Sequence, residues 1–325
     1  MSLNIYNIKK WTRMIIGKSI YHVNQGEGKL FSKEEIKGYY NDLTEKVLKS
    51  NLSVNELPKM KIANGEIIEF PIGIFQYGLG AYDIYLMTKE NEMLQRFKNA
   101  VEWAIENQKD NGGWVTFNYE TKKNPYSSMA QGEGISLLLR AFIEFKDERY
   151  KISAKKAMEF MQISIEENGT TMYNGSNIYL QEFPNEPTVL NGWIFSIFGV
   201  IDYLKIYKDD VNVKKFYEIT LKTLISVLPK YDIEYWSKYD IKKKIASPFY
   251  HKLHISLLRV MYELTEYKIF EEYANKFEKY SKLRTNRIKA FVIKAYQKIK
   301  EKKWHIWKEY YAYLDLWMRV ELKHF

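Results

Sequence analysis

No cysteine occurs in the 325 residues, which excludes disulfides and thiolate metal sites and fits a reducing compartment. Long apolar runs are missing too. The longest, Val189 to Ile201, is broken by Asn191, Ser196 and Gly199 and falls short of the roughly 20 residues of a membrane span. The opening MSLNIYNIKKWTRMIIGKSIYHVN has no long apolar stretch after its basic residues and does not read as a secretory signal. Histidine is scarce. Only His251 and His254 stand three apart on one helical face, and no third ligand is nominated beside them. SSMAQG lacks the GxSxG of a serine elbow. Gly132-Glu133-Gly134 lacks the lysine and preceding strand of a phosphate loop. Neither a metal nor an organic cofactor is expected from these patterns.

What is present is apolar and basic. The chain is 46% hydrophobic and 16% aromatic, enough for a substantial core. Its formal charge is +10, and Arg284 to Phe325 holds 11 Lys/Arg against 4 Asp/Glu, so +7 of that excess lies in the last 42 residues. Such a balance suits an anionic partner. No recognition motif accompanies the charge, so nucleic acid is not expected. The mixed basic and aromatic tail suits an interfacial helix on anionic lipid, and equally a helix packed on its own domain or on a second subunit.

Along the chain, residues 1–70 read as a mixed α+β region. SKEEIKGYYNDLTEKVLKS predicts a helix capped by Ser32, with Glu35 completing a capping box. The Asn-Gly of KIANGEIIEFP predicts a small β-hairpin. From Pro71, helical pairs recur: about Ile74 to Gln108, Met129 to Asn168, Leu190 to Pro229, and Tyr250 to Leu283. QYGLGAYDIYL, AQGEGISLLLRAF, LNGWIFSIFGVIDYL and HKLHISLLRVMYEL each open on a polar residue or glycine and continue with an apolar face. Gly78, Gly132 and Gly192 lie 54 and 60 residues apart. This recurrence predicts stacked hairpins. The expected fold is therefore mainly α: an incomplete α/α toroid of about four hairpins over 71–283, with a basic helical tail over 284–325. The polar helix starts then gather at one end of the barrel, where a site would form.

Two stretches would face that end. In YLQEFPNEPTVLNGWIFSIFG (Tyr179 to Gly199), Pro184 and Pro187 keep the first half out of a helix, next to Glu182. A rigid loop so fused to a buried helix can hold a carboxylate still at a site mouth. In YDIEYWSKYDIKKKIASPFYHKLH, Tyr231, Tyr235, Tyr239 and Tyr250 cluster near lysines and histidines, which would lower a phenol pKa.

These segments resemble the C-terminal domain of the heparan-sulfate and heparosan D-glucuronyl C5-epimerases. PYSSMAQGEGISLLLRAF (Pro125 to Phe142) is similar to the family's Ser-Met helix start followed by Gln-Gly, and YLQEFPNEPTVLNGWIFSIFGVIDYL to its E-E-Y-P…VLNG…GLYDL segment. KYDIEYWSKYDI and YHKLHI are similar to its YD…YDL and Y-H-x-x-H-I segments. The four motifs run in the same order over about Pro71 to Leu283. By this resemblance Glu182 matches the family's catalytic glutamate, and Tyr239 and Tyr250 match two active-site tyrosines. The tyrosine that follows the family's glutamate is Phe183 here. Tyr179, Phe183, Gln131, Asn191, Arg140, His251 and His254 are expected around the substrate. A homodimer and a cytoplasmic location, peripheral to the inner membrane face, are further expectations.

The implied chemistry is epimerisation at C5 of glucuronate in an anionic polysaccharide. A proton is removed α to the carboxyl group and one is returned on the opposite face, which needs acid/base groups on both sides of the ring. It also needs donors or cations at the enolate-like carboxyl group. Glu182 and Tyr250 are expected on the two faces, with Tyr239 and His251 positioning the carboxylate and Arg140 or a lysine supplying charge. An ordinary tyrosine, pKa about 10, is a poor base at neutral pH, so a positive environment is expected around Tyr250. A polysaccharide lyase uses the same abstraction and then eliminates. A glycoside hydrolase would need Glu182 and Glu186 to converge across the bond. A non-catalytic polysaccharide-binding or scaffold protein is the alternative outside enzymes.

Overall fold

The computed structural model describes residues 23–297, apart from residue 63, together with residue 300. A short helix, α1 (Thr44–Leu48), precedes a β-hairpin in which β1 (Lys59–Lys61) pairs antiparallel with β2 (Ile67–Glu69) around the Asn64-Gly65 turn. Gly65 takes φ 94° there, the conformation for which the Asn-Gly signal stands. The longer helix expected from Ser32 does not form. Ser32 Oγ does accept from the N–H groups of Glu34 (3.2 Å) and Glu35 (3.4 Å), closing one turn. Beyond it the backbone is committed elsewhere: Gly38 O accepts from Arg140 and Tyr39 N–H donates to Asp83 Oδ1 (2.8 Å).

Four helical hairpins follow: α2 (Pro71–Thr88) with α3 (Asn91–Asn107), α4 (Ser128–Phe145) with α5 (Glu148–Met161), α6 (Leu190–Ile206) with α7 (Val211–Val227), and α8 (Pro248–Thr265) with α9 (Lys268–Lys282). Their starts are chemically marked. Pro71 and Pro248 sit in first turns, where a missing N–H costs nothing. The side chains of Ser127, Asp147, Asp210 and Ser247 cap α4, α5, α7 and α8. Three hairpins turn on the same device. One residue adopts the left-handed conformation (Lys89, Lys146, Glu266; φ 57–61°), and its N–H closes on the carbonyl four residues back; an extended residue then starts the next helix.

The first helix of each pair is inner and the second outer. α2, α4 and α6 are apolar or small nearly all round and are buried over most of their length, as such composition requires. α9 buries one stripe, Phe270, Ala274, Phe277 and Tyr280, at helical spacing. The inner helices pack in sequence order, α2 on α4, α4 on α6 and α6 on α8. Among the described residues no extensive packing joins α8 to α2, so the ring is incomplete. α4 and α6 touch backbone to backbone, and a Cβ on Gly132 would come within 2.6 Å of Ser196 Cα. Trp193 anchors α6 in the core. It is fully buried and donates through Nε1 to Thr220 Oγ1 (2.9 Å), and its truncation to alanine would cost about 3–5 kcal/mol.

The C-terminal halves of the inner helices are sealed by residues 24–40. Asp83, Arg140, Asp202 and Lys205 bond this segment at Tyr39 N, Gly38 O, Tyr40 OH and Ser32 O. Arg259, in the C-terminal half of α8, pairs with Glu27 (3.4 Å), while Lys252 near the start of that helix donates to Asn24, so the segment runs along α8 toward the open end. With the C-terminal end closed, access is from the N-terminal ends of the inner helices. A second hairpin, β3 (Thr171–Asn174) and β4 (Asn177–Leu180), joins α5 to the loop that carries Glu182. It turns on Gly175-Ser176, between the paired Asn174 and Asn177, with Gly175 at φ 59°.

Beyond α9 the chain is helical over 284–297 and lies against the 231–247 loop. Lys294 Nζ donates to Ile245 O (2.6 Å), and Gln297 bonds Lys243 O (2.8 Å) and Ile245 N–H (3.0 Å). This much of the tail packs on its own domain. Nearly all of the remaining aromatic and basic stretch, on which the membrane-surface expectation rested, falls outside the described residues. No helix among the described residues is long and apolar enough to cross a membrane.

Candidate active site

The starts of all four inner helices meet at an open cavity of about 250 Å³. Gln76 reaches it from α2, Met129 from α4, Asn191 and Phe195 from α6, and Tyr250 and Leu253 from α8. Loops complete the wall. Phe117, Tyr119 and Glu120 come from the connection before α4, Glu182 and Phe183 from that before α6, and Tyr239 from that before α8. Gln25 and Lys46 enter from the N-terminal segment.

Glu182 is held through its neighbour Gln181. Gln181 N–H bonds Thr170 O (2.9 Å), Gln181 O accepts from Ser128 N–H (2.9 Å), and Gln181 Nε2 donates to Thr188 Oγ1 (2.9 Å). Its side chain lies directly over Gly192, the third residue of α6, where there is no Cβ to hold it away. The carboxyl group is buried, and Oε2 has no hydrogen-bond partner among the described residues. Burial, and secondarily the charge of Glu120, push its pKa up to about 8. A carboxyl group in this state exchanges a proton near neutrality.

The Tyr239 loop is tied to the start of α6. Leu190 N–H bonds Tyr239 O (3.1 Å) and Ile241 N–H bonds Thr188 O (2.9 Å). Asp240 Oδ1 accepts from the N–H groups of Lys242, Lys243 and Lys244 at 2.8–3.1 Å. The rings of Tyr239 and Tyr250 are 4.9 Å apart, tilted by 56°. Both phenols are pushed above the ordinary tyrosine range, first by burial and then by the negative charge of Glu182. The expected positive environment that would lower the Tyr250 pKa is thus not what surrounds it. With their pKa values raised, the tyrosines stay protonated at neutral pH, while burial brings the Glu182 carboxyl group close to neutrality.

Of the other expected contacts, Asn191 and Phe183 line the cavity. Asn191 Oδ1 is buried without a hydrogen-bond partner among the described residues, and Phe183 stacks on Phe117 with ring centres 4.4 Å apart. Five do not line it. Arg140 is at the sealed end, where its guanidinium pairs with Asp202 (2.6 Å) and donates to Gly38 O; twelve residues beyond the start of α4, it is carried away from the site by the helical rise. His251 and His254 are buried on the flank of α8 against Ser237 and do not line the cavity. Ser237 Oγ contacts both Nδ1 atoms (2.8 and 2.9 Å). Ser237 N–H also donates to His251 Nδ1, so His251 carries its proton on Nε2 and donates it to Phe277 O (2.9 Å). Burial lowers both histidine pKa values, to about 4 and about 3, leaving them neutral struts of the Tyr239 loop. Gln131 is buried and its amide serves Gly112 O and Trp114 N–H. Tyr179 packs on Trp193 with centres 5.2 Å apart. Among the described residues no three His, Asp or Glu side chains are grouped as metal ligands.

Glu120, Tyr119, Gln76 and Lys46 were not singled out by sequence reasoning. Gln76 heads QYGLGAYDIYL, so the shared polar helix start pointed toward it. Glu120 and Tyr119 occupy the inter-hairpin loop equivalent to that of Glu182, a positional signal. Nothing in the sequence marks Lys46.

The family model for the D-glucuronyl C5-epimerase C-terminus matches residues 106–279, more than half of the chain. The chain belongs to that family. Three of its inner helices, α4, α6 and α8, lie wholly within the epimerase match, as do the loops carrying Glu120, Glu182 and Tyr239, whereas Gln76 and Lys46 lie before it. A D-glucuronyl C5-epimerase of Caenorhabditis elegans is 30% identical over 213 residues, covering 57% of this chain and 35% of that protein. An uncharacterised protein of Methanocaldococcus jannaschii is 26% identical over 165 residues, covering 49% of this chain and 53% of its own. This member of the epimerase family thus matches about a third and about half of the length of these two relatives. A solved structure of a UGL variant with dGlcA-Glc-Rha-Glc superposes at a TM-score of 0.46 and 12% identity, over 87% of this chain and 82% of that one.

Proposed function

We propose that the protein is a carbohydrate epimerase that inverts C5 of D-glucuronate residues within an anionic polysaccharide, converting glucuronate to iduronate. The observation that carries this reading is the pairing, across one cavity, of a buried proton-accepting carboxyl group with phenols that remain protonated. Glu182 takes the C5 proton as the electron pair of the C–H bond moves into the carboxyl group. The phenol of Tyr250 donates a proton to C5 from the opposite face, with Tyr239 beside it as a further donor. The negative charge of Glu182, which raises the Tyr250 pKa, vanishes once Glu182 is protonated. The phenol is then a better acid when its proton is needed. The cavity is smaller than the roughly 300–1,000 Å³ of drug-sized pockets, which suits a single hexuronate unit with the chain continuing outside.

The test is incubation with unsulfated, glucuronate-containing polysaccharide in heavy water, read by NMR. Deuterium at C5 in intact chains is expected from the wild type and is lost in Glu182→Gln and in Tyr250→Phe. Unsaturated, ultraviolet-absorbing ends would instead mean elimination, and absence of exchange on any such glycan would overturn the assignment. Exchange surviving in the two variants would overturn the residue roles.

A further inference from the structure

The cavity wall holds two carboxylates, Glu182 and Glu120, and a third, Glu133, is fully buried behind Gln76, whose Nε2 donates to Glu133 Oε1 (2.7 Å). Such a wall repels an acidic sugar. Among the described residues lining the cavity one is a cation, Lys46. Its side chain takes part in none of the hydrogen bonds or ion pairs among the described residues, and its electrostatic neighbour is Glu133. Burial lowers the Lys46 pKa and raises that of Glu133, each to about 8, and their mutual attraction opposes both shifts.

Lys46 is also placed firmly. It sits on α1, which lies against α2 where Gly80 allows close approach; a Cβ on Gly80 would fall 2.8 Å from the Leu43 carbonyl carbon and 3.2 Å from Val47 Cγ2. Leu43 and Val47 are buried in that contact, so the residue between them is directed rather than loose. None of this belongs to the stretch matched by the epimerase family, which begins at residue 106.

We infer that Lys46 receives the carboxylate group of the bound hexuronate, so that the N-terminal segment contributes a substrate-binding residue to the cavity built by the hairpins. The inference rests on the epimerase reading of the cavity. A cation at that position selects an acidic sugar over a neutral one. It also faces the oxygens on which negative charge grows as the C5–H bond breaks, the proton going to Glu182 and the electron pair to the carboxyl group. No further reactant is required. Gln76, fixed by Glu133, is placed to donate to the same group.

Titration calorimetry at about 0.15 M salt, where long-range attraction between exposed charges is largely screened, tests this with a short heparosan oligosaccharide and its carboxyl-reduced counterpart. The wild type is expected to prefer the acidic oligosaccharide by at least about tenfold, as a charge-assisted hydrogen bond supplies. Lys46→Met loses the preference and Lys46→Arg recovers part of it. Lys46→Gln serves as a second neutral variant if Lys46→Met does not give the wild-type circular dichroism and melting. A neutral variant that keeps the wild-type preference, or a wild type that has none, overturns the role. C5 exchange run alongside separates the two claims. Preference lost in the variant with no exchange in the wild type would sink the epimerase reading and leave Lys46 as the carboxylate site. Exchange in the wild type, with rate and preference both kept in the variant, would sink Lys46 alone.

Discussion

Replacing Gly192 by alanine adds one methyl group beneath the proposed proton acceptor without touching it chemically. A Cβ at this position would lie 2.6 Å from Glu182 Cβ and 3.0 Å from its Cδ, against ordinary contact from 3.4 Å. The shortfall at Cβ is about 0.8 Å, and it falls at the root of the side chain, where rotation about χ1 does not relieve it. Either the 182 loop or the first turn of α6 must move by that amount. Overpacking of this kind costs about 1–3 kcal/mol, which a domain of this size absorbs as a melting point lower by a few degrees. The effect on chemistry is expected to be larger, since a displacement near 1 Å of a reacting group can cost on the order of 100-fold in rate. Gly78→Ala is the matching control. Its Cβ would lie 2.7 Å from Ala100 Cβ, equally crowded but at the α2–α3 contact. C5 exchange in heavy water and thermal melting of both variants make the comparison. The expected result is a loss near 100-fold for Gly192→Ala and little change in rate for Gly78→Ala, at similar losses of stability. A folded Gly192→Ala variant with wild-type exchange would refute the placement of Glu182 as the acting group.

Because the Glu182 carboxyl group is raised to about 8 and acts in its ionised form, kcat/KM for exchange should climb with pH. Below that pKa the rise is about tenfold per unit, and above it loss of the Lys46 proton, also near 8, turns the profile down; a level profile between pH 6 and 8 would contradict this. Arg140→Leu strands Asp202 as an unpaired buried charge and should destabilise the protein by about 3–5 kcal/mol in denaturant unfolding. Adding Asp202→Leu should recover much of that loss, which would not occur if Arg140 acted on substrate instead. Lys294→Ala with Gln297→Ala removes the bonds that hold Ile245 and Lys243, so exchange should slow through a looser Tyr239 loop while the helical circular dichroism signal is kept. An unchanged rate would mean that the tail helix does not support the site.

Much of the architecture follows from local chemistry. The four hairpins, their apolar inner helices and the Pro- and Ser-marked starts are visible because each depends on residues near one another in the chain. The polar starts also say where the inner helices place their functional ends, and Gln76, Asn191 and Tyr250 are found there. Recognisable motifs bring Glu182, Tyr239 and Tyr250 to attention for the same reason: each lies in a short segment with its own signature. The glycine recurrence was legible as spacing but not as purpose. Gly78 and Gly132 admit a neighbouring helix or side chain from the core, whereas Gly192 admits Glu182.

Tertiary structure decided what depends on distance. Arg140 looked available from sequence because it shares a motif with residues near the site, yet it lies twelve residues beyond the start of α4, away from the cavity, and its charge is spent on Asp202. The helix expected after Ser32 lost to long-range bonds from Asp83 and Arg140 that take its backbone groups. The protonation states are tertiary as well. Lysines next to the tyrosines in sequence suggested lowered phenol pKa values, but burial and the Glu182 charge, brought from another loop, raise them. Lys46 had no mark in the sequence because its position comes wholly from the packing of α1 on α2 at Gly80. Composition and periodicity report which faces are buried, and only the folded chain determines which charges meet there.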